Sequence, residues 1–207
     1  MSEICYIVGA GENFKSDIFS PSENDLVIAA DGGYKFLREN NIRTDIILGD
    51  FDSLDTETEI TGSQIIRLNP VKDETDTLYA INKGIEKGYT TFHIYGGTGG
   101  RTDHTIANIQ SLTMLAKKNM QGFLYTENEI ITVICNKSLN FNKNKKGYVS
   151  VFSLDNESYG VTETGMKYSL SDYTMSNSYP IGVSNEFIGK DSTISVDNGT
   201  LLIIYSR

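Results

Sequence analysis

Along the first 125 residues, short apolar runs alternate with longer stretches whose apolar residues recur at helical spacing. The runs are Ile4–Val8, Leu26–Ala30 and residues 46–48, 65–68, 92–95 and 123–125, short enough for buried strands. Residues 77–87 place Leu78, Ile81 and Ile85 on one face, and residues 105–118 do the same with Ile106, Ile109, Leu112 and Ala116, the pattern of a helix with one side against a core. Strand, helix and strand repeated in this order predict an α/β unit with a mostly parallel sheet and helices on its faces.

After Tyr125 the pattern changes. Apolar runs at 130–135, 148–154, 192–196 and 201–205 are separated by turn clusters at 142–147 and 156–160, with no long helical period between them. This predicts antiparallel β structure. Asn198-Gly199 sits between two apolar runs and predicts a closing hairpin. Two domains are expected, 1–125 and 126–207, with no repeat or low-complexity linker between them.

Composition narrows the class. At 207 residues, 39% hydrophobic and 22% charged, the chain buries a sufficient core without staples. Cys5 and Cys135 lie inside apolar runs, where a thiol acts as a small hydrophobe; a reducing cytoplasm is the expected compartment. There is no apolar stretch of membrane-spanning length and no basic flank of a signal peptide at the start, so neither export nor a membrane partner is expected. The net charge of −9 argues against a nucleic-acid partner, whose backbone is held by clustered Lys and Arg. Most of the acid surplus lies in the first 125 residues. It is either a solvated face or a set of carboxylates converging on a divalent cation.

In an open α/β sheet ligands sit beyond the carboxyl ends of the strands, so the turns after the strands decide. They read Asp31-Gly32-Gly33, then Gly49-Asp50-Phe51-Asp52-Ser53, then 69–76 with Lys72, Asp73, Glu74 and Asp76, then the loop GGTGGRTDH at 96–104. Asp50 and Asp52, two apart, can aim at one ion, and a hard cation such as Mg²⁺ takes one or two carboxylates together with waters and phosphates. Asp73 and Asp76 are either further ligands or acids at a helix start. Four glycines in five residues let a backbone approach an anion at a helix N-terminus. Arg101 supplies a planar fork for phosphate, or else a surface salt bridge. His104 is equally a helix-start residue or a catalyst.

Rivals for Asp-Phe-Asp differ in what they require. A calcium EF-hand loop counted from Asp50 would need Gly at its sixth position, where Asp55 stands, so it fails. A phosphatase with an aspartyl nucleophile usually has Thr or Val where Leu54 stands. A metal-dependent glycosyltransferase remains open on chemistry alone.

Taken together, ADGGYKFL (30–37), ILGDFDS (47–53), KDETDT (72–77), GGTGGRTDHTIANI (96–109) and GVSNEF (182–187) resemble the thiamine pyrophosphokinase family over nearly the whole chain. The resemblance implies an N-terminal α/β catalytic domain, a C-terminal β-sandwich and a homodimer. It implies transfer of pyrophosphate from ATP to the hydroxyl of thiamine, giving thiamine diphosphate and AMP. By the family pattern Asp50, Asp52 and Asp76 hold Mg²⁺, and Lys72 and Arg101 meet phosphate charge. Asp31 and Gly32 line the nucleotide crevice, with Asp73 and Thr75 supporting the adjacent loop. Asp103 approaches the attacking end of thiamine, leaving Asp50, Asp52, Asp103 and Arg101 as the catalytic set. Ser184 and Asn185, otherwise an ordinary β turn, face the pyrimidine. The chain has no Trp, so Tyr or Phe must serve as any aromatic shelf for the thiazolium. A noncatalytic thiamine or nucleotide sensor is the rival from another class.

Overall fold

The computed structural model describes residues 3–11, 19–49, 63–68 and 74–207, which fall into two compact units. The first comprises residues up to 111 together with 124–127, the second residues 112–123 and 128–207.

Among the described residues the first unit holds five parallel strands: β1 (Ile4–Val8), β2 (Leu26–Ala30), β3 (Ile46–Gly49), β4 (Gln64–Arg67) and β5 (Thr91–Tyr95). Their order is β5-β1-β2-β3-β4. Every residue of β2 is buried, as expected of a parallel strand covered on both faces. On one face Tyr6, Val8, Val27, Ala29, Ile47 and Tyr95 pack with Leu37 of helix α1 (Gly33–Glu39). On the other lies α2 (Asp76–Glu86), which fits tightly because Gly84 has no side chain: a Cβ there would sit 2.6 Å from Phe92 and 2.8 Å from the Cys5 sulfur.

Helix α3 (Thr102–Lys117) and strand β6 (Gln121–Tyr125) follow. The apolar face read from the sequence for α3 holds at Leu112 and Ala116 but not at Ile106. Ile106 is 54% exposed, whereas Asn108, Ser111, Leu112, Leu115 and Ala116 are buried. The inward positions near its start are polar because they meet the glycine loop rather than an apolar core.

The second unit contains eight antiparallel strands, β7 (Glu129–Cys135), β8 (Ser138–Phe141), β9 (Tyr148–Ser153), β10 (Glu157–Thr164), β11 (Leu170–Ser176), β12 (Asn185–Glu186), β13 (Ser192–Ser195) and β14 (Thr200–Ser206). They pair in the orders β12-β9-β14-β7 and β11-β10-β13-β8. One core takes residues from both sets, among them Val149, Val151 and Ile203 with Val161, Met175 and Ile194; Phe141 meets Phe187 and Tyr205 edge-on at 4.9 and 5.0 Å. The closing hairpin does not form. β13 pairs with β8 and β10, while β14 pairs with β7 and β9. Asn198-Gly199 therefore carries the chain from one sheet to the other, and apolar side chains on both strands fill the shared core instead of one face of a ribbon. The turn expected at 156–160 is mostly strand: β10 starts at Glu157, and Gly160, at φ +65, marks an irregularity in its pairing.

Candidate functional site

The order β5-β1-β2 puts a switch point beside β1: the chain leaves β1 for β2 on one side, and β5 arrives on the other. Such a point opens a crevice past the strand ends. The backbones there interlock. Gly9 N–H donates to Tyr95 O and Gly11 N–H to Gly96 O, both at 2.8 Å. A Cβ on Gly11 would lie 2.4 Å from the carbonyl oxygens of Gly96 and Thr98, and one on Gly33 would lie 1.9 Å from Val8 O. Only glycine permits this approach.

The crevice is a cavity of about 390 Å³ whose lining includes Gly9, Gly11, Asp31, Thr75, Asp76 and Arg101. The turn after β2 places Asp31 with a left-handed φ of 53° and its N–H on Leu48 O at 2.8 Å; Gly32 beside it is the N-cap of α1. Thr75 caps α2, its hydroxyl accepting the Leu78 N–H at 3.2 Å, and Asp76 opens that helix, where the dipole favours a carboxylate. Arg101 precedes α3. Its guanidinium donates to both carboxylate oxygens of Asp103, at 3.1 and 2.6 Å. That hydrogen bonding holds the Asp103 carboxyl below the usual carboxylate range. Both side chains are exposed, so the surface ion pair considered for Arg101 is present, and the fork also borders the cavity.

Four expected site residues, Asp31, Thr75, Asp76 and Arg101, thus meet from three separate turns, with Asp103 tied to the last of them. Asp50, Asp52, Lys72 and Asp73 lie outside the described residues. Among the described residues no three His, Cys, Asp or Glu side chains gather at metal-binding distance. Those that face the cavity offer carboxylate and hydroxyl oxygen, the donor chemistry that suits Mg²⁺. His104 also lines the cavity. The lining residues not foreseen are Gly9, Ala10 and Gly11 and, on α3, Thr105 and Asn108. Residues 9–11 after β1 carry no charge, and their signal in the sequence is the pair of glycines directly following a strand.

Ser184 and Asn185 belong to the second unit. Ser184 is exposed with a φ of 60°, its N–H donating to Ser150 Oγ at 3.0 Å. Asn185 is only 5% exposed. Its Oδ1 accepts from the N–H groups of Tyr168 and Glu186, and its Nδ2 donates to Tyr168 O and to Glu163 Oε2. The amide is fully engaged inside the unit, so Asn185 shapes the turn that presents Ser184. Gly182 accounts for the glycine of the same motif: a Cβ there would be 2.3 Å from Val151 O.

A glycine-walled crevice with converging carboxylates and a guanidinium, at the switch point of a parallel sheet, places the chain among the α/β proteins that bind ligands at strand ends. The description of the thiamin pyrophosphokinase catalytic domain matches residues 21–124, and that of the thiamin pyrophosphokinase vitamin B1 binding domain matches 136–201. The thiamine pyrophosphokinase of Bacillus subtilis (strain 168) is 30% identical over 215 residues, covering 100% of this chain and 99% of that protein. The crystal structure of the Bacillus subtilis thiamine pyrophosphokinase superposes with a TM-score of 0.90 at 28% identity, covering 99% of each chain. A Geobacillus thermodenitrificans thiamin pyrophosphokinase superposes at 0.87 with 27% identity, covering 99% of this chain and 97% of that one. The chain belongs to the thiamin pyrophosphokinase family.

Proposed function

We propose that the protein transfers the pyrophosphoryl group of ATP to the hydroxyl of thiamine. The thiamine oxygen forms a bond to the β-phosphorus, the bond from that phosphorus to the bridging oxygen of AMP breaks, AMP leaves with that oxygen, and the hydroxyl proton is released. The observation that carries this reading is the meeting of Asp31, Thr75, Asp76 and Arg101 at one cavity, in a chain that the family's two domains match over residues 21–124 and 136–201.

In-line displacement of this kind needs positioning and charge neutralisation more than covalent help. Arg101 and Lys72 meet phosphate oxygens, with Asp103 holding the Arg101 fork ready until a polyphosphate takes its place. Asp31, Gly32, Asp73 and Thr75 serve the nucleotide, and Thr75 also caps α2. Asp50, Asp52 and Asp76 would hold Mg²⁺, which supplies positive charge against the developing negative charge on the phosphate oxygens. Once its pairing with Arg101 is relaxed, Asp103 lies by the attacking hydroxyl. In the second unit Ser184 faces the pyrimidine, on a turn that Asn185 braces. Tyr148, Tyr168 and Tyr179, exposed tyrosines of the second unit, are candidates for an aromatic shelf under the thiazolium. The enzyme acts as a cytoplasmic homodimer; among the described residues no helix is long and apolar enough to cross a membrane.

The test is purified protein with MgATP and thiamine, products separated by chromatography. Equimolar thiamine diphosphate and AMP are expected; ATP retained without AMP would instead identify a sensor. Asp52→Asn is expected to lower turnover by about a hundredfold or more with melting unchanged, and undiminished activity would refute the metal assignment.

A further inference from the structure

Buried polar side chains need partners, and the partner reveals the task. Asn108 is 4% exposed on the inner side of α3 and borders the cavity. Its Nδ2 donates to the carbonyl oxygen of Gly97 at 2.8 Å, eleven residues back in the glycine loop. That bond links the loop to the helix body. Gly97 is pressed from the same direction: a Cβ on it would lie 2.9 Å from Asn108 Nδ2 and 2.6 Å from Leu124 Cδ1. Arg101, His104, Thr105 and Asn108 recur at helical spacing and all line the cavity, so the inner face of α3 is a polar wall for the crevice, and Asn108 is the member that reaches the loop. Among the described residues the neighbouring buried hydroxyl of Ser111 bonds to Ala107 O in its own helix, at 3.0 Å, and not to the loop.

We infer that Asn108 is a positioning residue for the donor nucleotide: by fixing the Gly97 carbonyl it sets the course of the 96–100 loop against the cavity that receives the polyphosphate. This rests on the reaction proposed above, which the wild-type assay tests separately.

The experiment compares full-length wild type with Asn108→Ala, Asn108→Asp and Ser111→Ala, measuring melting, turnover and KM for MgATP and for thiamine. Asn108→Asp keeps the shape but sets a carboxylate oxygen against Gly97 O beside a polyanion site, so it separates donation from filling. Expected are a rise in KM for MgATP of about tenfold for Ala and more for Asp, a change in KM for thiamine of less than about twofold, and Ser111→Ala near wild type; one lost hydrogen bond to a backbone carbonyl is worth about this much. Three results would overturn the inference: a folded Asn108 variant with wild-type KM for MgATP, both KM values rising in step with lost melting temperature, or failure of both Asn108 variants to fold. Wild type without thiamine diphosphate production would instead sink the reaction itself.

Discussion

Glu163 is the residue whose surroundings conflict most with its chemistry. It sits on β10 at 1% exposure, with one carboxyl oxygen held by Asn185 and the other, Oε1, without a hydrogen-bond partner among the described residues. Burial raises its pKa, as expected when the charged form is desolvated. A raised folded pKa stabilises the fold below the unfolded value of 4.5 and loses that contribution as pH climbs through the folded value. Glu163→Gln keeps an oxygen for Asn185 and removes the charge. It is expected to melt a few degrees above wild type at pH 7, with the gain shrinking toward pH 4. A gain independent of pH would show that ionisation of Glu163 plays no part. A strand pattern marks this position as inward-facing but does not reveal that an asparagine twenty-two residues later supplies its partner.

At the level of elements, strand runs and helix α2 were legible because their apolar periods are set by burial against a sheet. Strands β8 and β12 were not, because Ser138–Phe141 has only two apolar residues and Asn185–Glu186 has none, so neither forms an apolar run. The face of α3 was misread at Ile106 because a cavity wall inverts the usual rule, putting Asn108 inward. Thr75 shows an element and the site sharing one residue: it starts α2 and borders the crevice. Thr75→Ala removes the acceptor for the Leu78 N–H and is expected to destabilise the protein by about 1 kcal/mol in denaturant unfolding, with Thr75→Ser recovering most of it. Equal loss in both variants would indicate that the methyl, not the hydroxyl, matters. The end of the chain teaches a related lesson. Asn-Gly reports a turn, yet whether that turn joins neighbours in one sheet or links two sheets depends on distant strands.

For the molecule as a whole, the two units are expected to respond to acid in opposite senses. In the first, His93 is pushed down to about 4 from 6.5, chiefly by burial, against Tyr125, whose hydroxyl lies 3.2 Å from Nδ1. The unfolded chain therefore takes up a proton that the native one refuses; stability is full above 6.5 and falls as pH drops toward 4. Between pH 6.5 and 5 the loss is expected to be about 2 kcal/mol, seen in denaturant melts of the full chain, and His93→Gln is expected to flatten it. In the second unit Glu163 gains instead, as pH falls through its raised folded value. An unaltered slope in His93→Gln would assign the acid response elsewhere.

By itself the sequence determined the alternation of strands and helices, the change to β structure after Tyr125, and which turns carry acid, glycine and arginine. Local spacing and polarity are enough for these, because each is written in adjacent residues. The tertiary structure decided that Asp31, Thr75, Asp76 and Arg101 share one cavity, that Gly9 and Gly11 form part of its wall, that Asn185 is occupied within its own unit, and that Asn108 reaches Gly97. Each of these depends on strand order and side-chain packing between residues far apart in the chain, and no local pattern specifies such contacts.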